Sequence, residues 1–361
     1  IATGPSTTQA PEPAPRSFFS RKNLIITAAA ALVVAVAGTL GGVFLTKSGG
    51  DALSLRATLT NPGKVPANAL EFSPDNSTLV ATDNAHAATA GQNSASVFNT
   101  SATAGMPGFS YDGLGNDLAY SPDGTRLAIA GAYLYVYNAA NHSPVAYIPN
   151  VSPQAVAFGQ SGQGLAVGGR WTSTSSEEVG LLNPATRQWT ATMSGLPKNS
   201  YINALAYAPD GTTLAASDAV NGQLYVWNTS SRSLVTTPVP LTAATGPIAF
   251  SHDGKTLAVA TGGTGSVRLW NVDSKTWSGA AMTDAKSKGV KGIAYSPDGK
   301  TLAVADGNGT VNLWDTATGK LIIARQVNPK GVASVTFSPD GKALATGDAA
   351  GQIELWAVSG Q

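Results

Sequence analysis

Two adjacent carboxylates, Glu177 and Glu178, are the side chains of this sequence best suited by type to general acid–base chemistry. In a glycosidase, the two catalytic carboxylates face each other across a cleft. Neighbouring residues of an extended segment instead point to opposite sides. The segment SSEEVG is therefore predicted to be a solvated loop and not a catalytic pair.

Metal and thiol chemistry depend on residues that are rare here. The chain has three histidines, His86, His142 and His252, and no cysteine. The lack of cysteine excludes disulfides, Cys-ligated zinc, iron–sulfur clusters and thiol catalysis. The first two histidines lie in polar loops and the third replaces a proline in a repeated turn, whereas a three-histidine site needs side chains that converge. We predict neither a metal site nor a cofactor.

Phosphate binding and nucleophilic catalysis also lack their motifs. The glycine-rich segment 262–265 is followed by a strand, SVRLW, whereas a phosphate cradle needs the N-terminus of a helix. The chain has no G-x-S-x-G turn in a strand–helix context, and no His-Arg-Asp or Asp-Phe-Gly motif. We therefore expect no catalytic activity from this chain itself.

Three lysines, Lys286, Lys288 and Lys291, cluster in the segment DAKSKGVKG and form the candidate ligand loop. Outside a membrane such a loop could contact an anionic polymer or lipid, and the alternative is an ordinary solvated loop. The whole chain has 22 Lys and Arg against 21 Asp and Glu, a net charge of +1. Because nucleic-acid binding needs a clustered basic field, no nucleic-acid partner is expected.

The elements that position these groups follow from a repeat of about 44 residues. An aromatic residue followed by a turn similar to Ser-Pro-Asp-Gly occurs seven times. Proline fixes φ and Asp-Gly supplies a positive φ, as a tight hairpin requires. The turn aspartates are Asp75, Asp123, Asp210, Asp253, Asp298 and Asp340.

A second mark, an alternating run that ends in a large apolar residue, follows each turn. The seven apolar residues are Phe98, Tyr137, Leu182, Trp227, Trp270, Trp314 and Trp356. Short alternating runs separated by turn clusters indicate an antiparallel all-β fold. Because both marks occur seven times, the repeat count is seven.

These marks resemble WD repeats. The resemblance rests on the period, the Ser-Pro-Asp-Gly turn and the Leu-Trp-Asp sequence at Leu313–Asp315, and covers about residues 52–358. It implies a seven-bladed β-propeller with four strands per blade, which serves as a platform for protein or peptide ligands. The segment Ser54–Leu59 aligns with fourth-strand segments such as Lys320–Arg325. We predict that it pairs with the last strand and closes the seventh blade.

One feature departs from the family pattern. The Gly-His pair that precedes the first strand of many WD repeats is absent from all seven repeats, so the family's His–Ser–Asp–Trp hydrogen-bond network is not expected. Asp306 and Asp348 are expected to cap the turn before the third strand instead. The segment Asp315–Gly319 matches the pattern that precedes a docking tryptophan in quinone-binding propellers, but no tryptophan follows in register.

A long uncharged run, Leu24–Leu45, precedes the repeats. As a helix it would be about 33 Å long, enough to cross a hydrocarbon core of about 30 Å. The predicted segments are a disordered Pro/Thr-rich linker at 1–23, a transmembrane helix at 24–46, a short linker at 47–53 and the propeller at 54–361.

The charges that flank the run favour one orientation. Arg16, Arg21 and Lys22 precede it, which predicts a cytoplasmic N-terminus and an extracytoplasmic propeller on a single-pass cell-membrane protein. The alternative is a cleaved signal peptide with Ala35–Ala37 as its A-x-A site.

The order of linker, basic flank, span and propeller resembles the C-terminal half of bacterial membrane serine/threonine kinases. The resemblance implies an extracytoplasmic sensor whose ligand favours dimers or reorients the span, with a kinase domain upstream of Ile1. Two alternatives are a free-standing membrane-anchored scaffold for protein–protein interaction and, third, a propeller hydrolase or quinoprotein.

Overall fold

The computed structural model describes residues 52–61, 65–83, 93–160, 164–172, 174, 176–241, 246–261 and 265–359. These residues form seven antiparallel β-sheets and contain no α-helix. The predicted all-β class and the predicted count of seven are therefore confirmed. The apolar run Leu24–Leu45 lies outside the described residues. Within them, no helix is long and apolar enough to cross a bilayer.

Each sheet is one blade, and its strands follow the chain from the innermost strand outward. Blade 1 contains β2 (Ala67–Phe72), β3 (Thr78–Asp83), β4 (Asn93–Asn99) and β5 (Ala104–Tyr111). Blade 2 contains β6 (Asp117–Tyr120), β7 (Arg126–Ala130), β8 (Leu134–Asn138) and β9 (Pro144–Ile148). Blade 3 contains β10 (Val151–Phe158), β11 (Leu165–Trp171), β12 (Glu177–Asn183) and β13 (Gln188–Thr192).

The remaining blades follow the same order, although the outer strand of blade 4 is split in two. Blade 4 contains β14 (Ile202–Tyr207), β15 (Thr213–Asp218), β16 (Gln223–Asn228), β17 (Ser233–Leu234) and β18 (Val239–Pro240). Blade 5 contains β19 (Ile248–Phe250), β20 (Thr256–Thr261), β21 (Ser266–Asn271) and β22 (Thr276–Thr283). Blade 6 contains β23 (Val290–Tyr295), β24 (Thr301–Asp306), β25 (Thr310–Asp315) and β26 (Leu321–Gln326). Blade 7 contains β27 (Val332–Phe337), β28 (Ala343–Asp348), β29 (Gln352–Val358) and β1 (Leu53–Thr60).

The seven first strands contact one another in a closed circle, β2, β6, β10, β14, β19, β23, β27 and back to β2. The last blade takes its outer strand from the other end of the chain, because β1 pairs antiparallel with β29 from Leu53 opposite Val358 to Thr60 opposite Gln352. The predicted closure by Ser54–Leu59 is confirmed, and the strand extends one residue beyond it at each end. The fold is a seven-bladed β-propeller.

The core lies between the blades, because each sheet is covered on both faces by its neighbours. A strand buried on both faces is apolar along its whole length. The middle residues of the second strands have this character, and β24 is buried at every residue, including Thr301 and Asp306 at its ends. The third-strand aromatic Trp227 is fully buried among residues of two blades, including Ile202 of its own blade and Val179 of blade 3.

The repeated turn joins the first and second strands by a fixed set of hydrogen bonds. In blade 6 the Ser296 hydroxyl donates to Asp298 Oδ1 at 2.7 Å and accepts from the N–H of Thr301 at 2.9 Å. The same Ser–Asp bond of 2.5–2.6 Å recurs in blades 1, 2, 5 and 7. The turn also holds Gly299 at a φ of 73°, a conformation that glycine adopts without strain.

Candidate binding face

The two ends of the propeller carry different connections. One end, the turn face, carries the Ser–Asp turns and the turns between third and fourth strands. The other end, the loop face, carries the turns between second and third strands and the segments that join one blade to the next. Described joining segments include 112–116, 193–201, 284–289 and 327–331. Every first strand therefore begins on the loop face and ends on the turn face.

A β-bulge near the loop face interrupts five of the first strands. A bulge adds one residue and redirects its side chain. The extra residues are Asn68, Gln154, Asn203, Lys291 and Ala333. Asn116 directly precedes β6, and its N–H pairs with Ala130 O. Four amides and one ammonium thus lie near the inner end of the loop face, and we call Asn68, Asn116, Gln154, Asn203 and Lys291 the rim residues.

The rim amides join neighbouring blades. Asn68 Nδ2 donates to Gly115 O at 3.1 Å, and Asn116 Nδ2 donates to Pro153 O at 3.0 Å. Gln154 Oε1 accepts from the Tyr201 hydroxyl at 2.8 Å. Each of these contacts crosses from one blade to the next, so the rim is held in place although its residues come from different repeats.

A cavity of about 160 Å³ opens between blades 3 and 4 on the loop face. Its walls include the carboxylates Glu177 and Glu178 and the apolar side chains of Met193, Leu196 and Pro197. Ser176 and Lys198 also line the cavity, so polar and apolar groups share the wall. The cavity is smaller than the ~300 Å³ at which ligand pockets usually begin, so it has room for no more than part of one residue of a partner.

The prediction of a solvated loop at Glu177 is wrong, because this residue begins β12 and its carboxylate turns toward blade 4. The carboxylate accepts the N–H of Ile202, while Oε2 is buried and has no hydrogen-bond partner among the described residues. Burial raises the pKa of Glu177 to about 7. Glu178 is held differently, since its Oε1 accepts the hydroxyls of Thr174 at 2.7 Å and Ser176 at 3.0 Å.

Tyr201 lies between the rim and the cavity segment. Its side chain is 39% exposed, and Val220 on the neighbouring turn is 61% exposed. Exposed tyrosines are frequent energetic centres of protein interfaces, because they offer a large rigid surface and a hydroxyl. Sequence reasoning missed Tyr201, and the available signal was its place directly before the first strand of blade 4.

A further pair of carboxylates lies in the inner strands of blades 1 and 2. Glu71 Oε2 accepts the N–H of Tyr120 at 2.8 Å, and Asp117 Oδ2 accepts the N–H of Val156 at 2.9 Å. Burial raises the pKa of Glu71 to about 8, with a smaller rise from the charge of Asp117. Burial also raises the pKa of Asp117 to about 7. Both carboxylates satisfy an edge N–H of the next blade, which is a structural role.

The three predicted loop lysines are all exposed on the loop face. Lys286 and Lys288 lie in the segment that joins blades 5 and 6, and Lys291 is the bulge residue of β23. The structure therefore brings the candidate ligand loop to the same face as the rim and the cavity.

The other predicted residues lie elsewhere. The six turn aspartates are on the turn face, where hydrogen bonds from the serine hydroxyls hold the pKa of Asp253 and Asp340 below the ordinary value. The four tryptophans are buried, with Phe98, Tyr137 and Leu182 at the same place in blades 1 to 3. The expected caps are confirmed, because Asp306 Oδ1 accepts the N–H of Asn308 and Asp348 Oδ1 that of Ala350.

The histidines do not converge in the described residues. His142 stacks on Phe109 with ring centroids 4.8 Å apart, and His252 is exposed in its turn. His86 lies outside the described residues. In the part of the chain that the structure describes, no three His, Asp or Glu side chains are grouped as metal ligands would be.

Comparison with known families supports the repeat assignment. The family model described as WD domain, G-beta repeat matches residues 190–228, 245–271 and 322–357. The model of the anaphase-promoting complex subunit 4 WD40 domain matches residues 273–338. No curated protein matches the chain. The matches fall almost wholly in blades 4 to 7, and together with the seven-bladed fold they support WD40 repeats. A WD40 propeller is suited to protein interaction.

Proposed function

We propose that this propeller is a non-catalytic binding module that docks a protein or peptide partner on its loop face. The observation that carries the proposal is the set of rim residues. Four amides and a lysine occupy equivalent inner positions in five blades, and contacts between blades hold the amides around one opening that an extended ligand can reach. Tyr201 and the cavity at Glu177 extend this surface outward across blades 3 and 4.

Site-directed photocrosslinking tests the docking face. A photoreactive phenylalanine analogue replaces Tyr201 on the loop face in one variant and Lys255 on the turn face in a matched variant. The partner is expected to crosslink through position 201 and not through position 255. Crosslinking through position 255 alone would contradict the proposal.

We also propose that the propeller is the extracytoplasmic sensor of a single-pass membrane protein, the C-terminal part of a bacterial serine/threonine kinase receptor. The support is sequence order, since the uncharged run Leu24–Leu45 follows a basic flank and precedes the propeller. In this arrangement, ligand binding outside favours a dimer or reorients the span, and so biases a kinase inside. A free-standing anchored scaffold is the alternative supported by the same segments.

Two measurements separate these versions. Reporter fusions after Gln361 determine on which side of the membrane the propeller lies, and an external location is expected. Sequencing the DNA upstream of the Ile1 codon then distinguishes them, because an in-frame kinase domain supports the receptor. A start codon within a few residues would instead support the scaffold.

A further inference from the structure

Four lysines lie on the chain segments that surround one turn of blade 6. Gly307 lies in the turn between β24 and β25, and its N–H donates to Gly289 O at 3.0 Å. A Cβ on Gly307 would lie 3.0 Å from Lys288 O and 3.3 Å from Lys291 Cε. The aliphatic stem of Lys291 therefore extends over Gly307. Because glycine has no side chain, it leaves space for this stem.

The neighbouring segments bring two more lysines to the same place. Asn308 Nδ2 donates to Lys286 O at 3.0 Å, which holds the joining segment against the turn. The next joining segment carries Lys330, and a Cβ on the adjacent Gly331 would lie 3.2 Å from Gly307 O. All four lysines are exposed. We call Lys286, Lys288, Lys291 and Lys330 the lysine cluster.

The carboxylates beneath the cluster accept hydrogen bonds from the fold, and one of their oxygens, Asp306 Oδ2, is buried without a hydrogen-bond partner among the described residues. Asp284 accepts the N–H of Lys286 at 2.8 Å and Asn312 Nδ2 at 3.1 Å. Asp306 is 1% exposed, and its Oδ1 accepts the N–H groups of Lys288 and Asn308 at 2.9 Å. Asp348 is 2% exposed and accepts the side-chain amide of Asn328. These acids orient the backbone that presents the lysines.

The ammonium groups of the cluster therefore remain available. In the part of the chain that the structure describes, the ion pairs are Lys300–Asp298 at 3.4 Å and Lys342–Asp340 at 3.8 Å, and both are on the turn face. Four unpaired cations on two adjacent segments attract an anionic partner and raise its rate of association.

We propose that the lysine cluster binds an acidic peptide segment of the partner. The bound segment continues from blades 6 and 7 onto the rim. This inference rests on the proposed function, because it specifies the chemistry of the ligand on the same loop face. Lys291 belongs both to the cluster and to the rim, so one side chain connects the charged area to the amides. The lysines pair with the side-chain carboxylates of this segment.

The rim favours a peptide over a membrane surface. A lipid surface is recognised by cations together with inserted apolar side chains. The exposed large hydrophobic residues of blades 6 and 7 lie instead on the outer strands, at Leu321, Ile322 and Leu55. Amides that can alternately donate and accept suit an extended peptide backbone.

The test measures binding of the purified full chain to a fluorescent peptide of alternating Glu and Gly, with a Gln–Gly peptide as the neutral probe. The variant K288E/K291E reverses two charges of the cluster. The matched variant K255E/K320E makes the same change in net charge on the turn face. Circular dichroism melting of each variant verifies folding, and the milder K288Q/K291Q keeps the test valid if charge reversal unfolds the chain.

The acidic peptide is expected to bind, and the cluster variant is expected to lose affinity by about tenfold or more. The turn-face variant keeps the affinity of the parent within about twofold. Raising the salt from about 0.05 M to about 0.5 M weakens binding to the parent, because the charges are exposed. The Gln–Gly peptide binds weakly to every form.

Three results would overturn the inference. Equal loss in both variants would mean that only net charge matters. Stronger cluster-dependent binding to phosphatidylserine vesicles than to the peptide would assign the cluster to a membrane surface. If position 201 still crosslinks the natural partner while K288E/K291E leaves its affinity unchanged, the binding function stands and the acidic ligand is rejected.

Discussion

The turn face and the loop face of this propeller are built from the same strands but use their polar groups in opposite ways. On the turn face, the same serine–aspartate bond recurs in blades 1, 2, 5, 6 and 7, and its carboxylates are satisfied locally. On the loop face, equivalent positions carry Asn, Gln, Lys or Ala, and the cavity contains a buried unpartnered Glu177 oxygen. Repetition thus marks the groups that fold the chain, and variation marks the face that we propose for a partner.

The largest loss of stability is expected from a substitution in the repeated core and not from one on the loop face. Replacement of Trp227 by Ala removes a fully buried ring and its Nε1 bond to Ser194 O of 2.7 Å. Destabilisation of about 3–5 kcal/mol is expected from such a cavity. Tyr201→Ala on the loop face is the comparison and is expected to cost less than about 1 kcal/mol. Urea unfolding of both variants measures the two losses of stability. Equal losses would contradict the distinction between a structural core and a loop face that contributes little to stability.

The next largest effect on stability is expected at the repeated turn. Blade 6 has both the turn serine and the turn aspartate, whereas blade 4 has the aspartate without the serine. Ser296→Ala in blade 6 removes bonds to Asp298 and to the N–H of Thr301, at an expected cost of about 1–2 kcal/mol. In blade 4, Ala208 occupies the serine position with the same backbone bonds, Ala208 N to Thr213 O and Gly211 N to Ala208 O, both 2.8 Å. Ala208→Ser is therefore expected to stabilise the chain by about 0.5–1 kcal/mol.

Thermal melting at one pH compares the two serine variants. A loss of stability on Ala208→Ser would mean that the buried site of blade 4 has no room for the hydroxyl. The backbone hydrogen bonds of this turn would then contribute more to its stability than a serine hydroxyl can.

A pH-dependent effect should distinguish the buried inner carboxylates from the turn aspartates. Burial raises the pKa of Glu71 to about 8 from an ordinary value of 4.5. A raised pKa in the folded state means that its contribution to stability is fully present below the unfolded value and is lost as pH rises through about 8. Asp253 has a lowered pKa, so its contribution is lost as pH falls below about 4.

Glu71→Gln therefore should raise the melting temperature at pH 8 and leave it nearly unchanged at pH 4. The amide oxygen of glutamine can still accept the N–H of Tyr120. Glu178→Gln, at a partly exposed carboxylate on the loop face, is the matched control and is expected to show no such gain. An equal gain at both values of pH would show that packing, and not ionisation, explains the change.

The smallest effect on stability is expected at the rim. Gln154→Ala removes the acceptor of the Tyr201 hydroxyl and is expected to change the free energy of unfolding by less than about 1 kcal/mol, because both groups reach solvent. The same variant should weaken partner binding measurably in a titration. If the variant loses stability but keeps its affinity for the partner, then Gln154 has a structural role and is not part of the binding surface.

Local sequence predicted the fold because each repeat carries its own markers. The Ser-Pro-Asp-Gly turn and the third-strand aromatic fix a hairpin and a buried position within one blade, and Phe98, Tyr137 and Leu182 occupy that position where tryptophan is absent. The closing strand β1 was predictable because it resembles a fourth strand without a blade of its own.

The candidate site was only partly predictable, because it depends on contacts between repeats. The three loop lysines stood out in the sequence, but the segment of Lys330 comes beside them at Gly307 only because two blades meet there. Glu177 looked like a loop residue, since nothing local indicates that its carboxylate bonds to Ile202 of the next blade. The rim was missed because a bulge changes the register by one residue without a sequence signal of its own.

Hydrogen exchange of the propeller with and without its bound partner tests the central claim most directly. Binding on the loop face predicts added protection in the joining segments 193–201, 284–289 and 327–331, with unchanged exchange in the turns at Asp253, Asp298 and Asp340. Protection confined to those turns would contradict the assignment of the loop face as the binding surface.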